Sequence, residues 1–124
     1  MKSRNSRRSG FTLVEIMIVV GLIGMLLAIA IPNFVKARNT SQVSACINNL
    51  HQVDNAIQEW ALENKKNAAQ TVTFSDISPY LKSSVICPSG GTAFSDSYTI
   101  VDVGTKPVCQ KLPVAHVFPP DTGS

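Results

Sequence analysis

The chain has 124 residues, 44% of them hydrophobic, with seven glycines, seven prolines and three cysteines. Its formal charge of +3 is uneven: Lys2, Arg4, Arg7 and Arg8 fall in the first ten residues without an acid, and the remainder holds 7 basic against 8 acidic residues. That balance excludes the broad positive footprint of nucleic-acid binding, and the length allows one domain with a small core.

After the basic leader 1–10, every residue from Phe11 to Ile31 is apolar or small except Thr12 and Glu15. About 20 such residues in a helix span a bilayer core of about 30 Å. The positive-inside rule assigns the leader to the cytoplasm and everything after Pro32 to the far side. Ala28-Ile29-Ala30 offers a small-x-small cleavage site, but the apolar run exceeds that of a secretory signal and carries a carboxylate near its start. An ionisable group inside a span is a functional-site hypothesis by default. Gly21 and Gly24 permit close helix packing. Pro32, which lacks an N–H for the carbonyl of Ala28, makes 21–32 the weak part of the helix.

The run from Gly10-Phe11-Thr12-Leu13-Val14-Glu15 through Ala30-Ile31-Pro32 resembles the amino-terminal signature of type IV prepilins and type II secretion pseudopilins. The resemblance covers about the first quarter of the chain. It implies cleavage between Gly10 and Phe11 by a membrane-embedded prepilin peptidase and N-methylation of Phe11 by the same enzyme. Glu15 takes the place of the family's intramembrane glutamate in filament assembly, and Pro32 that of its helix-breaking proline. The implied partners are the peptidase/methyltransferase, like or related pilin subunits, an assembly platform in the membrane and the lipid bilayer. The implied location is a single pass through the cytoplasmic membrane with the carboxyl-terminal domain exported, then a periplasmic or surface filament.

The spacing has its own chemistry. Glu15 lies about 6 Å along the axis from Phe11, one helical turn in. Cleavage at Gly10 would create an α-amine that is largely cationic at neutral pH. In a dry bundle of such helices, each carboxylate needs a cation, and the amine of an axially shifted neighbour supplies it. Opposite unit charges at about 4 Å attract by about 4 kcal/mol at an effective dielectric of about 20. Desolvation offsets much of that gain, so the pair sets register more than stability.

Beyond Pro32, Val43, Cys46, Ile47, Leu50, Val53, Ile57, Trp60 and Ala61 recur at three- and four-residue steps, which predicts an amphipathic helix over 32–66 ending near Glu63. A small globular part, 67–112, follows. Ser75 is the expected N-cap of a brief helix through Leu81. Ser84–Cys87, Tyr98–Val103 and Val108–Leu112 read as extended, with turns at Pro88–Gly91 and Gly104–Pro107. Residues 113–124 read as a flexible tail. The expected fold is α+β and pilin-like: one long amino-terminal helix, membrane-spanning in its first half and amphipathic in its second, packed by a small antiparallel sheet.

Many pilins close a carboxyl-terminal loop with a disulfide, and on that resemblance Cys87 and Cys109 are the candidate pair. A bridge from Cys46 to either stays open, as does a free buried Cys46, because sequence does not set connectivity. Catalytic signals are absent. His51 and Asp54 are three apart with Glu59 following, but no third ligand or nucleophile completes a metal or triad spacing. Asp96, Asp102 and Asp121 fit no calcium loop, and His116 stands alone. The reading is a structural subunit, not an enzyme, with no cofactor or metal. The alternative is a membrane-tethered binding domain that never polymerises.

Overall fold

The computed structural model describes residues 9–118, so residues 1–8 of the leader and the last six residues, Asp121 among them, lie outside it. The chain divides into two compact units, Met1–Ala37 and Arg38–Ser124.

A helix, α1 (Leu13–Glu63), runs through both units. Its start follows a local rule. Thr12 and Glu15 form a T-x-x-E capping box, in which each side chain accepts the other's backbone N–H, satisfying two donors the first turn leaves unpaired. From Leu13 to Val35 the large apolar side chains are exposed, and this is the stretch whose length and composition suit a membrane. Pro32 does not break α1, which continues on both sides of it. A proline in a helix interior costs about 3 kcal/mol, through the bond lost to the Ala28 carbonyl and the crowding of its ring together. The 51-residue helix continues through it all the same, and Asn33 Nδ2 adds a bond to the Ile29 carbonyl at 3.2 Å.

In the second unit, α1 presents the predicted stripe. Cys46, Leu50, Val53, Ile57, Trp60 and Ala61 are buried, joined by Ala56 and Asp54. Burying one such large aliphatic side chain contributes about 1.5–3 kcal/mol. The helix ends in a Schellman motif: Lys66 N–H bonds the Ala61 carbonyl at 2.8 Å and Lys65 N–H that of Leu62 at 3.4 Å. Lys65, at φ 51°, holds the left-handed position that glycine favours.

The chain then folds back over the stripe. The brief helix α2 (Phe74–Ile77) is capped by Thr73 rather than Ser75, because Asp76 accepts both the N–H and the hydroxyl of Thr73 at 2.9 and 2.6 Å. A 3-10 turn, Ser78–Tyr80, follows, with Pro79 early enough to be tolerated. The Tyr80 hydroxyl donates to the Glu63 carboxylate at the end of α1. Residues 84–87 join no strand. A second short helix, α3 (Phe94–Ser97), leads directly into β1 (Tyr98–Thr99).

Strand β1 pairs antiparallel with β2 (Val108–Cys109) in the register Tyr98 with Cys109 and Thr99 with Val108. The sheet is shorter than the sequence predicts, but its margin is extended. Thr71 bridges Asp102, and the N–H groups of Val72, Val103 and Gly104 reach the carbonyls of Val101, Gln70 and Ala68. Val72, Ile77, Val85, Tyr98 and Val103 complete the core. The architecture is thus α+β: one long helix with a small two-stranded antiparallel sheet.

Candidate functional site

Two places carry chemistry. The first is the amino-terminal motif. Gly10 and Phe11 precede the first helical turn and are exposed, Phe11 by 86%. The capping box at Thr12 begins the helix just past the Gly10–Phe11 bond, which therefore lies outside the helical hydrogen-bond ladder. The Glu15 carboxylate is therefore held at the mouth of the helix, facing the positive end of its dipole. The T-x-x-E spacing carries that local duty, a role beyond the polar exception that Thr12 makes in the apolar run.

The second place is in the core of the second unit. Cys46 comes from α1, Cys87 from the segment before the turn 88–90, Cys109 from β2 and His116 from the turn beyond it. All four are buried, and their ligand atoms lie within 4.8 Å of one another. Cys87 Sγ and Cys109 Sγ are 3.6 Å apart and unbonded. His116 Nδ1 sits 3.8 Å from Cys87 Sγ and 3.6 Å from Cys109 Sγ. The bridge expected from Cys87 to Cys109 is not formed here, and Cys46 is a buried thiol. His116, which sequence left alone, is only 1% exposed. Among the described residues, these four side chains form a group whose chemistry could hold a metal ion, a convergence that no sequence spacing shows.

The surroundings of the cluster set its charge states. Burial pushes the Cys46 thiol up to about 12, against the Tyr98 hydroxyl bond that pulls it down. Burial also raises Cys87, opposed by the Ser89 backbone N–H. At Cys109 burial acts upward too, but the backbone N–H groups of Leu112 and Lys111 and the neighbouring thiols outweigh it and bring the thiol down. Burial lowers the pKa of His116 and keeps the imidazole neutral. Among the described residues, its Nε2 is buried without a partner.

The other candidates have ordinary partners. Asp54 is buried and pairs with Lys106 at 2.9 Å. His51 is exposed and packs on the Phe118 ring at 4.5 Å. Asp96 accepts the N–H groups of Thr92 and Ala93, and Asp102 that of Thr105, so both carboxylates stiffen local turns.

The stem and its motif define a class: prepilin-type chains with an apolar helix behind a glycine-phenylalanine junction. The family described as the prokaryotic N-terminal methylation motif matches residues 5–31. The chain is 56% identical over 46 residues to the type IV major pilin protein PilA of Myxococcus xanthus, covering 37% of this chain and 21% of that one. To a type IV major fimbrial protein FimA of Dichelobacter nodosus it is 46% identical over 61 residues, covering 49% and 38%. To the competence protein ComGC of Bacillus subtilis it is 35% identical over 83 residues, covering 65% of this chain and 82% of that one. The chain belongs to the type IV pilin and pseudopilin family. It spans well under half the length of the pilin and fimbrial relatives it matches. No solved structure matches it.

Proposed function

We propose that the chain is a structural subunit of a type IV pilus or secretion-type pseudopilus, with no catalytic role of its own. The observation that carries this reading is the exposed apolar half of α1, charged only at Glu15 and set directly behind Gly10 and Phe11. A face so apolar needs lipid before assembly and other helices after it. The leader stays cytoplasmic, the second unit is exported, and a prepilin peptidase cuts after Gly10 and methylates Phe11. The new amine at Phe11 then answers the Glu15 carboxylate of a staggered neighbour delivered by the assembly platform. The match covers 82% of the competence protein but 21% and 38% of the pilin and the fimbrial protein, which supports a subunit with a compact head.

Mass spectrometry of the chain extracted from envelopes tests the reading. The expected species begins at Phe11 and carries one added methyl group. A chain that begins at Met1, or one trimmed after Ala30, overturns it.

A further inference from the structure

Four ligand-bearing side chains separated in sequence converge in one dry spot, and a folded core has little reason to gather three thiols and an imidazole there for packing alone. We propose that Cys46, Cys87, Cys109 and His116 form a structural zinc site that locks the exported domain onto α1.

The geometry selects a single small ion. Zinc binds Cys at about 2.3 Å and His at about 2.0–2.1 Å, and in a tetrahedron these lengths give edges of about 3.8 Å between sulfurs and about 3.5 Å from sulfur to nitrogen. The observed edges are 3.6 Å for Cys87 to Cys109, and 3.8 and 3.6 Å from His116 Nδ1 to the two sulfurs. A disulfide needs about 2.05 Å and would use only two of the four groups. Soft thiolates with one imidazole suit zinc over the oxygen-seeking calcium and magnesium, and Cys3His is a closed set without room for substrate.

The outer contacts fit thiolate ligands. The Tyr98 hydroxyl accepts Asn49 Nδ2 at 3.0 Å and lies 3.6 Å from Cys46 Sγ. With its oxygen so engaged, its proton is free to point at the sulfur. Backbone N–H groups of Ser89 and of Lys111 and Leu112 face the sulfurs of Cys87 and Cys109. Together these donors spread the net charge of −1 that three thiolates leave on a divalent ion. A histidine ligand binds as the neutral imidazole, and His116 Nδ1 already faces two of the sulfurs. Zinc displaces three thiol protons and changes no oxidation state, so the site needs no oxidant or reductant.

The site explains an architecture that is otherwise weakly held. The sheet has two strands of two residues each, and a head this small needs a staple. The four ligands tie α1, the turn 88–90, β2 and the segment around His116 at one point.

The test uses the full chain, extracted in detergent without chelator. Elemental analysis should find about one zinc per chain, with three thiols that react with a thiol reagent only after a chelator removes the metal. Exchange with cobalt should give thiolate-to-cobalt charge-transfer bands and the visible absorption of tetrahedral coordination. Cys46→Ser and His116→Gln should each weaken zinc binding by about 100-fold or more, beyond the 10–100-fold typical of outer-shell partners. The cobalt spectrum of the unaltered chain decides the matter even where a variant fails to fold. Three outcomes overturn the proposal: an intact mass short of two hydrogens, with Cys87 joined to Cys109 and no metal; three reduced thiols that take up neither zinc nor cobalt; or undiminished zinc in His116→Gln or Cys46→Ser.

Discussion

Glu15 Oε2 accepts the backbone N–H of Thr12 at 2.8 Å, and Thr12 Oγ1 accepts that of Glu15 at 3.3 Å. One carboxylate thus serves its own helix in the single chain and a neighbour's amine in the proposed filament. The two duties separate by mutation. Glu15→Gln keeps a capping-box acceptor but removes the charge. It should leave cleavage and helix content intact while filament yield falls about tenfold or more, since about 1.4 kcal/mol per contact already gives that factor. Thr12→Ala should weaken the first turn by about 1 kcal/mol and leave filaments near normal. Electron microscopy of sheared cells, with the amino terminus verified by mass spectrometry, reads both. Normal filaments from Glu15→Gln would leave Glu15 as a cap alone.

Tyr98 joins the sheet to α1 through its hydroxyl. Asn49 Nδ2 donates to it at 3.0 Å and to the Ile86 carbonyl at 2.9 Å, while the ring is 2% exposed. Burial raises the phenol above its ordinary range, so it stays protonated. Tyr98→Phe keeps the ring and strands one amide proton, which should cost about 1–2 kcal/mol. A lower urea midpoint at unchanged slope is the expected signature, because neither state changes its exposed surface.

The long helix was legible because its apolar period persists over many turns, and Cys46, Leu50, Val53, Ile57 and Trp60 fell on the buried side as read. Short elements were not. Helix α3 spans four residues, too few to show any period, and the Thr73–Asp76 pair outcompeted Ser75 as a cap by offering two donors to one carboxylate. Tyr98–Val103 looked like a whole strand from its β-branched content, but only two residues pair with β2. His116 was illegible for another reason. It meets Cys109 seven positions away and Cys87 twenty-nine away, and no local spacing reports a meeting that only the tertiary fold makes.

Asp96 gives the head a defined acid limit. The Ala93 backbone N–H, then the Thr92 hydroxyl and N–H and the Lys111 ammonium, hold its carboxyl far below the usual range. A depressed folded pKa contributes stability that is complete above the unfolded value of about 3.9 and is lost as pH falls through the folded one. The difference in urea midpoint between the unaltered chain and Asp96→Asn should therefore be constant from pH 7 to about pH 5 and shrink below about pH 4. A difference that grows on acidification would contradict this capping role. Asp76, lowered first by the Thr73 hydroxyl and then by its N–H, should behave in the same direction.

Gly91 is fixed by space. A Cβ there would stand 2.2 Å from Ser97 Oγ and 2.9 Å from the backbone N and O of Cys87. Ser97 is fully buried, and its hydroxyl already donates to the Ala93 carbonyl at 2.6 Å, so it has no free rotamer to offer. The turn cannot slide either, because Gly91 N–H holds the Cys87 carbonyl at 2.9 Å and Gly90 before it sits at φ 104°. Gly91→Ala should cost about 1–3 kcal/mol, the usual range for overpacking. Adding Ser97→Ala removes the closest clash but leaves the Cys87 contacts, so the double variant should recover part of the loss. A coupling of about 0.5 kcal/mol or more in that cycle is expected for residues in contact, and strictly additive losses would show that the Cys87 backbone alone sets the limit.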